Sequence, residues 1–284
     1  MRWKSLLLTP ALVVLSGVAV FALYQAATGG EPLAWAGVAL AAAPLPAFVS
    51  YVMATEGTAR TSANLPSALA AAAIGVALTL VGFAGVLPVA LAVGSFAALV
   101  WYVFVYSRFG RGRNAALQPG ETLPDFTLEE ADGAEVASSA FRGRPALFLF
   151  YRGNWCPLCM AQIKEVAAAY KRLAGMGVEV VLASPQPAGE TAKLAKKFDV
   201  PFRFLVDRDL KAARALGIAA EGGVPAGVDA MGYGVDTVLP TVVAADADGR
   251  ILFLDETDNY RVRPEPETFL AIFEQNAQTM DAAA

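Results

Sequence analysis

The sequence predicts a two-part chain: an all-α unit of four membrane-spanning helices in residues 1–107, a linker at 108–120, and an α/β domain in residues 121–284. Three observations carry that prediction. Hydrophobic residues make up 56% of the chain and charged residues 17%, against about 45–50% and about 25% in soluble domains. The skew is concentrated at the start, where Arg2, Lys4, Glu31, Glu56 and Arg60 are the only charged residues before Arg108. Beyond the linker, apolar runs of strand length alternate with helix-period stretches, the pattern of a mixed sheet covered on both faces.

Crossing a hydrocarbon core of about 30 Å takes about 20 mostly apolar residues. Four segments qualify, at about 6–27, 33–54, 67–86 and 88–106. They are separated by Thr28-Gly29-Gly30-Glu31-Pro32, by Thr55 to Pro66, and by a tight turn at Gly85 to Pro88. The alternative for the first is a signal peptide, because Arg2 and Lys4 precede it, but its apolar run exceeds a signal core of about 7–15 residues. Trp3, Trp35, Tyr51, Trp101, Tyr102 and Tyr106 lie near the segment ends, as interfacial aromatic belts do. With four spans, Arg2, Lys4, Arg60, Arg108, Arg111 and Arg113 fall on one side and Glu31 on the other. The positive-inside rule then predicts a multi-pass protein of the cell membrane with its N-terminus and its C-terminal domain cytoplasmic. The spans contain no Cys, His or acidic residue, so the unit is expected to anchor the chain in the lipid bilayer. Its many Ala and Gly residues suit self-association into a homo-oligomer. A lipid or quinone pocket among the spans is the alternative.

The absence of histidine removes Ser-His and Cys-His nucleophile pairs, His-ligated haem and most zinc sites, and no cofactor is expected. From Asn114 onward the chain carries 16 Lys and Arg against 24 Asp and Glu. That sign argues against nucleic acid as a partner, since binding phosphates needs clustered cations.

The linker is rich in Arg, Gly, Asn and Gln and ends at Pro119-Gly120. Phe126-Thr127-Leu128 and Glu135-Val136 flank the turn Asp132-Gly133 and predict a hairpin. Ala146 to Tyr151 and Val178 to Ala183 predict buried central strands. Further strands are expected at Phe202 to Val206, Thr241 to Ala245 and Ile251 to Leu254, and further helices near Gly189 to Phe198, Asp209 to Leu216 and Glu265 to Gln278. Between the first two central strands, Cys156, Met160, Ile163, Val166, Tyr170 and Leu173 recur at spacings of three and four and mark one apolar helix face.

The only two cysteines are Cys156 and Cys159, separated by Pro157 and Leu158. A buried strand, a short turn and a proline at the first helical position put Cys156 at a helix N-terminus. There the free N–H groups favour a thiolate, and Arg152 adds positive charge nearby. Cys159 lies one turn along the same face, within reach of a disulfide, so that it can resolve an attack made by Cys156. The alternatives are a zinc site completed by carboxylates or a second subunit, and two cysteines merely packed in a core.

The C-terminal half resembles the thioredoxin-like superfamily, and within it the peroxiredoxin-like alkyl hydroperoxide reductase and thiol-specific antioxidant group. The matching stretches are Pro124 to Leu128, Phe150 to Cys159 with its Trp155-Cys156-Pro157-Leu158-Cys159 run, Ala183 to Gln186, Leu239-Pro240-Thr241, Asp246 to Ile251, and Asp258 to Pro264, in all about residues 121–278. The resemblance implies a thioredoxin fold in which Cys156 attacks, Cys159 resolves, and Arg152 and Trp155 belong to the catalytic site. It also implies that Pro240 is a cis-proline opposite the sulfurs, with Leu239 and Thr241 beside it receiving the substrate. Where the group has a Thr or Ser three residues before the attacking cysteine and a proline four before that, this chain has Gly153 and Leu149.

A membrane-anchored antioxidant enzyme is therefore expected, a thiol peroxidase that reduces hydroperoxides through a Cys156/Cys159 dithiol–disulfide cycle. Its partners would be the hydroperoxide and a thiol electron donor such as a thioredoxin or a small thiol. A protein disulfide reductase is the second expectation, and a membrane scaffold or redox sensor without turnover the third.

Overall fold

The computed structural model describes residues 2–55 and 59–283, with side chains through residue 279. It forms two compact units, one made of Trp3–Gly57 and Thr61–Arg108, the other chiefly of the chain from Phe109 onward.

Five helices build the first unit: α1 (Arg2–Thr28), α2 (Pro32–Ala42), α3 (Pro44–Thr55), α4 (Pro66–Gly82) and α5 (Val86–Trp101), the last prolonged by a π-turn at Tyr102–Tyr106. By length and composition α1, with 27 residues, and the 21-residue stretch Val86–Tyr106 can each cross a membrane. The second expected segment is broken: α2 and α3 meet at 43° and together match one span. Pro44 explains the break, because it has no N–H to give and its ring opposes the carbonyl one turn back. The Ala43 N–H still reaches the Ala39 carbonyl at 2.9 Å, so α2 ends satisfied. Helix α4 is apolar but has only 17 residues, about 25 Å at about 1.5 Å per residue. The expected connection from Thr55 to Pro66 falls partly outside the described residues.

Glycines bring α2 and α4 into backbone contact. A Cβ on Gly75 would stand 2.5 Å from the Ala41 nitrogen and 2.6 Å from the Gly37 carbonyl oxygen. The buried Thr79 hydroxyl donates to Ala34 across the seam at 3.2 Å and to Gly75 in its own helix at 2.9 Å. Small residues permit this approach, and the hydroxyl needs no water.

In the second unit the hairpin β1 (Thr127–Glu129) and β2 (Glu135–Ala137) leads into β3 (Ala146–Phe150), α6 (Pro157–Ala168), α7 (Tyr170–Gly175), β4 (Glu179–Ser184), α8 (Ala188–Phe198), β5 (Arg203–Val206) and α9 (Lys211–Ala215). A small pair, β6 (Ala219–Ala220) and β7 (Thr237–Val238), precedes β8 (Thr241–Ala245), β9 (Ile251–Asp255) and α10 (Pro266–Ala283). The seven-stranded sheet runs β2-β1-β5-β4-β3-β8-β9. Its centre, β3, β4 and β5, is parallel, and β8 returns antiparallel to β3. Every residue of β3 and β8 is buried, which suits their unbroken apolar runs. Phe148 and Phe150 pack on Phe126 from β1's approach and join Val181, Leu205, Val243 and the α9 face in one core cluster. On the outer edge, Phe253 of β9 meets Phe269 of α10 at 6.0 Å between ring centres. The long helix expected after Cys156 pauses at Ala169, whose ψ of 0° separates α6 from α7.

Candidate active site

Strand β3 ends at Phe150, and the chain turns through Tyr151–Trp155 before α6. Cys156 is the residue preceding the helix, with φ −95° and ψ 103°, and Pro157 opens it. The Cys156 carbonyl accepts from the N–H groups of Cys159 and Met160 at 3.0 and 3.1 Å, so the first helical turn closes directly under the first sulfur. One turn on, the Cys159 sulfur lies 2.7 Å from that of Cys156, and the two thiols are free. The spacing predicted a reachable pair, and the sulfurs are within bonding reach. Both are enclosed, Cys156 at 3% exposure and Cys159 at 0%.

A polar network fixes the turn. Gln186, after β4, accepts the Asn154 N–H at 2.8 Å and donates to the Tyr151 hydroxyl at 2.9 Å and to Thr191 at 3.1 Å. Asn154 donates its amide to the Glu190 carbonyl at 3.0 Å. Gly153 has φ +143°, and a Cβ there would lie 2.7 Å from the indole nitrogen of Trp155. A glycine in place of the expected hydroxyl residue is thus a local packing requirement. Trp155 stacks under the Arg152 guanidinium, 4.6 Å from ring centre to carbon. Arg152 also donates to the Gly223 carbonyl, and its own carbonyl accepts from the Thr237 hydroxyl at 2.8 Å.

The charge lies differently from the helix-end expectation. Burial pushes the Cys156 thiol well above its ordinary value, helped by its hydrogen bond to Cys159 and by the charge there. Burial also resists ionising Cys159, but the hydrogen bond from Cys156, the Arg263 guanidinium, and the backbone and side chain of Arg152 overcome it and bring that thiol down to about 5. The physical reason is Arg263: its Nη2 reaches the Cys159 sulfur at 3.5 Å, while Nη1 donates to Gln162 at 2.8 Å and Nε to the Tyr260 carbonyl at 3.2 Å. A buried guanidinium facing one sulfur outweighs the diffuse field of a helix terminus at the other. Burial works against charging Arg263 as well, yet the two sulfurs raise its pKa. The Tyr151 phenol is held neutral by burial and by Cys159.

Among the described residues no peptide bond is cis, so the expectation for Pro240 is corrected: Leu239–Pro240 is trans. Two residues carry the chain from β7 straight into β8, and the Thr241 hydroxyl closes back on the Leu239 carbonyl at 2.9 Å, a path that needs no reversal. Pro240 and Thr241 line a cavity of about 10 Å³ with Gln162 and Arg263. Leu239 packs against the hydrophobic core instead.

Residues 119–253 match the model of the AhpC/TSA family. That segment, just under half of the chain, is similar to the AhpC/TSA family. It has the thioredoxin-like α/β fold of peroxiredoxins. The AhpC/TSA match ends short of Arg263. The chain is similar to the chloroplastic peroxiredoxin Q of Oryza sativa subsp. japonica, 32% identical over 117 residues, which are 40% of this chain and 54% of that protein. It is also similar to the thiol-disulfide oxidoreductase ResA of Geobacillus thermodenitrificans, 28% identical over 115 residues, 40% of this chain and 65% of that protein. The chain thus spans about half the length of the peroxiredoxin Q relatives it matches. Among solved structures, the reduced Prx3 of Vibrio vulnificus aligns at 21% identity over 56% of this chain and 99% of that one, with a TM-score of 0.47.

Two residues of the site were not anticipated from the AhpC/TSA sequence pattern as parts of it. Arg263 sits in the Asp258 to Pro264 stretch that contributed to the resemblance, over a hundred positions from Cys159, among several other charged residues, so nothing in the local sequence singled it out. Gln186 sits in the quoted Ala183 to Gln186 stretch, and a glutamine directly after a buried strand was its signal.

Proposed function

We propose that the chain is a membrane-anchored thiol peroxidase working through a Cys156/Cys159 dithiol–disulfide cycle. What supports this reading is the enclosure of two sulfurs, 2.7 Å apart, between the Arg152 and Arg263 guanidiniums. A space that leaves the sulfurs at 3% and 0% exposure suits a reactant of a few atoms better than a polypeptide disulfide. The Cys156 proton first passes to the Cys159 thiolate across their 2.7 Å contact, and the Cys156 thiolate so formed, the more outward of the two, attacks the terminal oxygen of the hydroperoxide. The O–O bond breaks, and the proton now on Cys159 goes to the departing alkoxide to give an alcohol, which leaves Cys159 as a thiolate again. Cys156 is left as a sulfenic acid. The Cys159 thiolate then attacks that sulfur, an S–S bond forms, and hydroxide leaves and takes a proton from solvent. Two electrons have moved from the sulfur pair to the peroxide. An external thiol donor, a thioredoxin or a small thiol, returns them by thiol–disulfide exchange.

A second reading is a protein disulfide reductase. Gly153, where a hydroxyl would contact peroxide, and the similarity to a thiol-disulfide oxidoreductase favour it. Stopped-flow mixing of the reduced full-length chain with hydrogen peroxide separates the two. Disulfide formation within seconds, absent in Cys156→Ser and stalled at the sulfenic acid in Cys159→Ser, is the peroxidase result. Slow oxidation combined with rapid reduction of insulin disulfides would overturn it in favour of the reductase.

The anchor is part of the proposal. Two helices are of spanning length and the bent pair can make a third crossing; we take the 17-residue apolar α4 as the fourth, and under the positive-inside rule that count would put all six cations of the short loops on the cytoplasmic side together with the redox domain. An impermeant thiol reagent that labelled Cys156 from outside intact cells would refute that topology.

A further inference from the structure

Arg263 reaches Cys159 from a loop that has no regular structure of its own between β9 and α10. Arg60 holds the far end of that loop, its guanidinium donating to the Arg263 and Pro264 carbonyls at 3.2 Å each, and Arg111 holds the near end from the start of the unit. Its backbone N–H donates to the Asp258 carboxylate at 2.8 Å. Its guanidinium donates to the Pro240 carbonyl at 2.6 Å and to the Thr241 hydroxyl at 3.2 Å, and stands 3.7 Å from Glu256. Two residues earlier, the Phe109 N–H donates to the Asp258 carbonyl at 2.9 Å, and the Phe109 ring lies 6.2 Å from that of Tyr260. Tyr260 in turn gives its carbonyl to the Arg263 Nε. The Arg111 side chain is only 6% exposed, and burial lowers its pKa to about 10 despite Glu256, Asp255 and Asp258. A cation so enclosed, its two terminal nitrogens turned to the Pro240 carbonyl, the Thr241 hydroxyl and Glu256 while its Nε has no hydrogen-bond partner, is a fastening and not a solubilising surface charge.

Resting on the reading that the sulfur pair is a working thiolate site, we infer that Arg111 is a positioning residue: it ties the Glu256–Arg263 loop to the entry of β8 and so delivers the Arg263 guanidinium to the Cys159 sulfur. Arg111 touches neither sulfur and acts through Arg263.

The test is a titration of the reduced full-length chain in detergent, by thiolate absorbance near 240 nm and by the pH dependence of iodoacetamide alkylation. The groups facing the Cys159 sulfur are Cys156, Arg152, Arg263 and Tyr151, and none is altered in Arg111→Gln. That variant is expected to raise the apparent thiolate pKa by about one unit, a tenfold loss of thiolate at acid pH. In an Arg263→Gln background the same change should add nothing, because there is no guanidinium left to position. A shift that persists undiminished in that background would reduce Arg111 to a distant charge and overturn the inference, as would no shift in the single variant. Asp258→Ala supplies an arm of opposite sign and stands in if Arg111→Gln does not fold. Loss of a nearby negative charge alone would lower the thiolate pKa, whereas loss of the fastening raises it, and a fall refutes the inference. The titration needs no substrate. A chain that proved inert towards peroxide would therefore sink the peroxidase reading while leaving this result standing.

Discussion

Restoring the hydroxyl that the relatives' pattern calls for should damage this protein. Gly153 has φ +143°, and a Cβ would meet the Trp155 ring at 2.7 Å from Nε1 and 2.9 Å from Cδ1. Threonine is β-branched and poorly suited to that backbone, a strain of about 1–3 kcal/mol. The ring must also move, and with it goes the contact with the buried Arg152 at 4.6 Å, worth about 1 kcal/mol. Gly153→Thr should therefore lose about 2–4 kcal/mol, a large share of an ordinary stability of about 5–15 kcal/mol. The assay is urea unfolding of the reduced chain followed by far-ultraviolet circular dichroism, alone and in a Trp155→Ala background. Without the indole, the ring's part of the loss, about 1 kcal/mol, should vanish while the backbone part remains. Peroxide reactivity should fall in the single variant, because the turn that presents Cys156 is displaced. A Gly153→Thr chain as stable as the parent, or faster with peroxide, would refute the idea that packing against Trp155 dictates glycine here.

Four more outcomes follow from the geometry. Arg263→Gln removes a charge-assisted hydrogen bond of about 1.5–3 kcal/mol, so Cys159 should rise from about 5 by about 1–2 units at about 1.4 kcal/mol per unit, read by the alkylation profile. In the parent, the folded value of Cys159 lies below its unfolded one, so its contribution to stability is present at alkaline pH and is lost as pH falls through about 5; the urea midpoint of the reduced form relative to the disulfide form should drop across that window, and a flat difference would contradict the assignment. Gln186→Leu strands the Asn154 N–H and removes one partner each from the Tyr151 hydroxyl and Thr191, at about 1–3 kcal/mol for a buried polar group left unmet, and should both lower the urea midpoint and speed alkylation of the sulfurs. In the apolar unit, Gly75→Ala collides with Ala41 and Gly37 whereas a Cβ on Gly94 meets nothing within 4 Å, so the first should lower the thermal midpoint in detergent by several degrees, a penalty of about 1–3 kcal/mol for overpacking, and Gly94→Ala should not.

Much of this was legible in the amino-acid order. The runs Ala146 to Tyr151 and Thr241 to Ala245 announced central strands because unbroken apolar stretches of that length need burial on both faces. Proline after Cys156 announced the helix start, and the three-residue spacing brought the sulfurs together. What periodicity could not reveal was the partner of the charge. Arg263 meets Cys159 through a loop whose path depends on long-range fastening by Arg111 and Asp258, and no local pattern encodes such a meeting. The break at Ala43 was marked by Pro44, but hydropathy averaged over a span is blind to a single missing N–H. The trans geometry of Leu239–Pro240 likewise depends on how β7 hands over to β8, a tertiary matter.

The enclosure of the sulfurs has a consequence for the second half of any catalytic cycle. Oxidation can occur in a sealed compartment, since its reagent is tiny and its by-products leave as they came. Regeneration is harder if the donor is another protein: its thiol must line up with the S–S axis, and Cys156 and Cys159 are only 3% and 0% exposed. Forming the S–S bond neutralises the anion that Arg263 was facing, so oxidation itself leaves a buried cation without its counterpart and weakens one side of the wall. The chamber would thus be tightest when it is ready to accept a peroxide and loosest when it needs to be recharged.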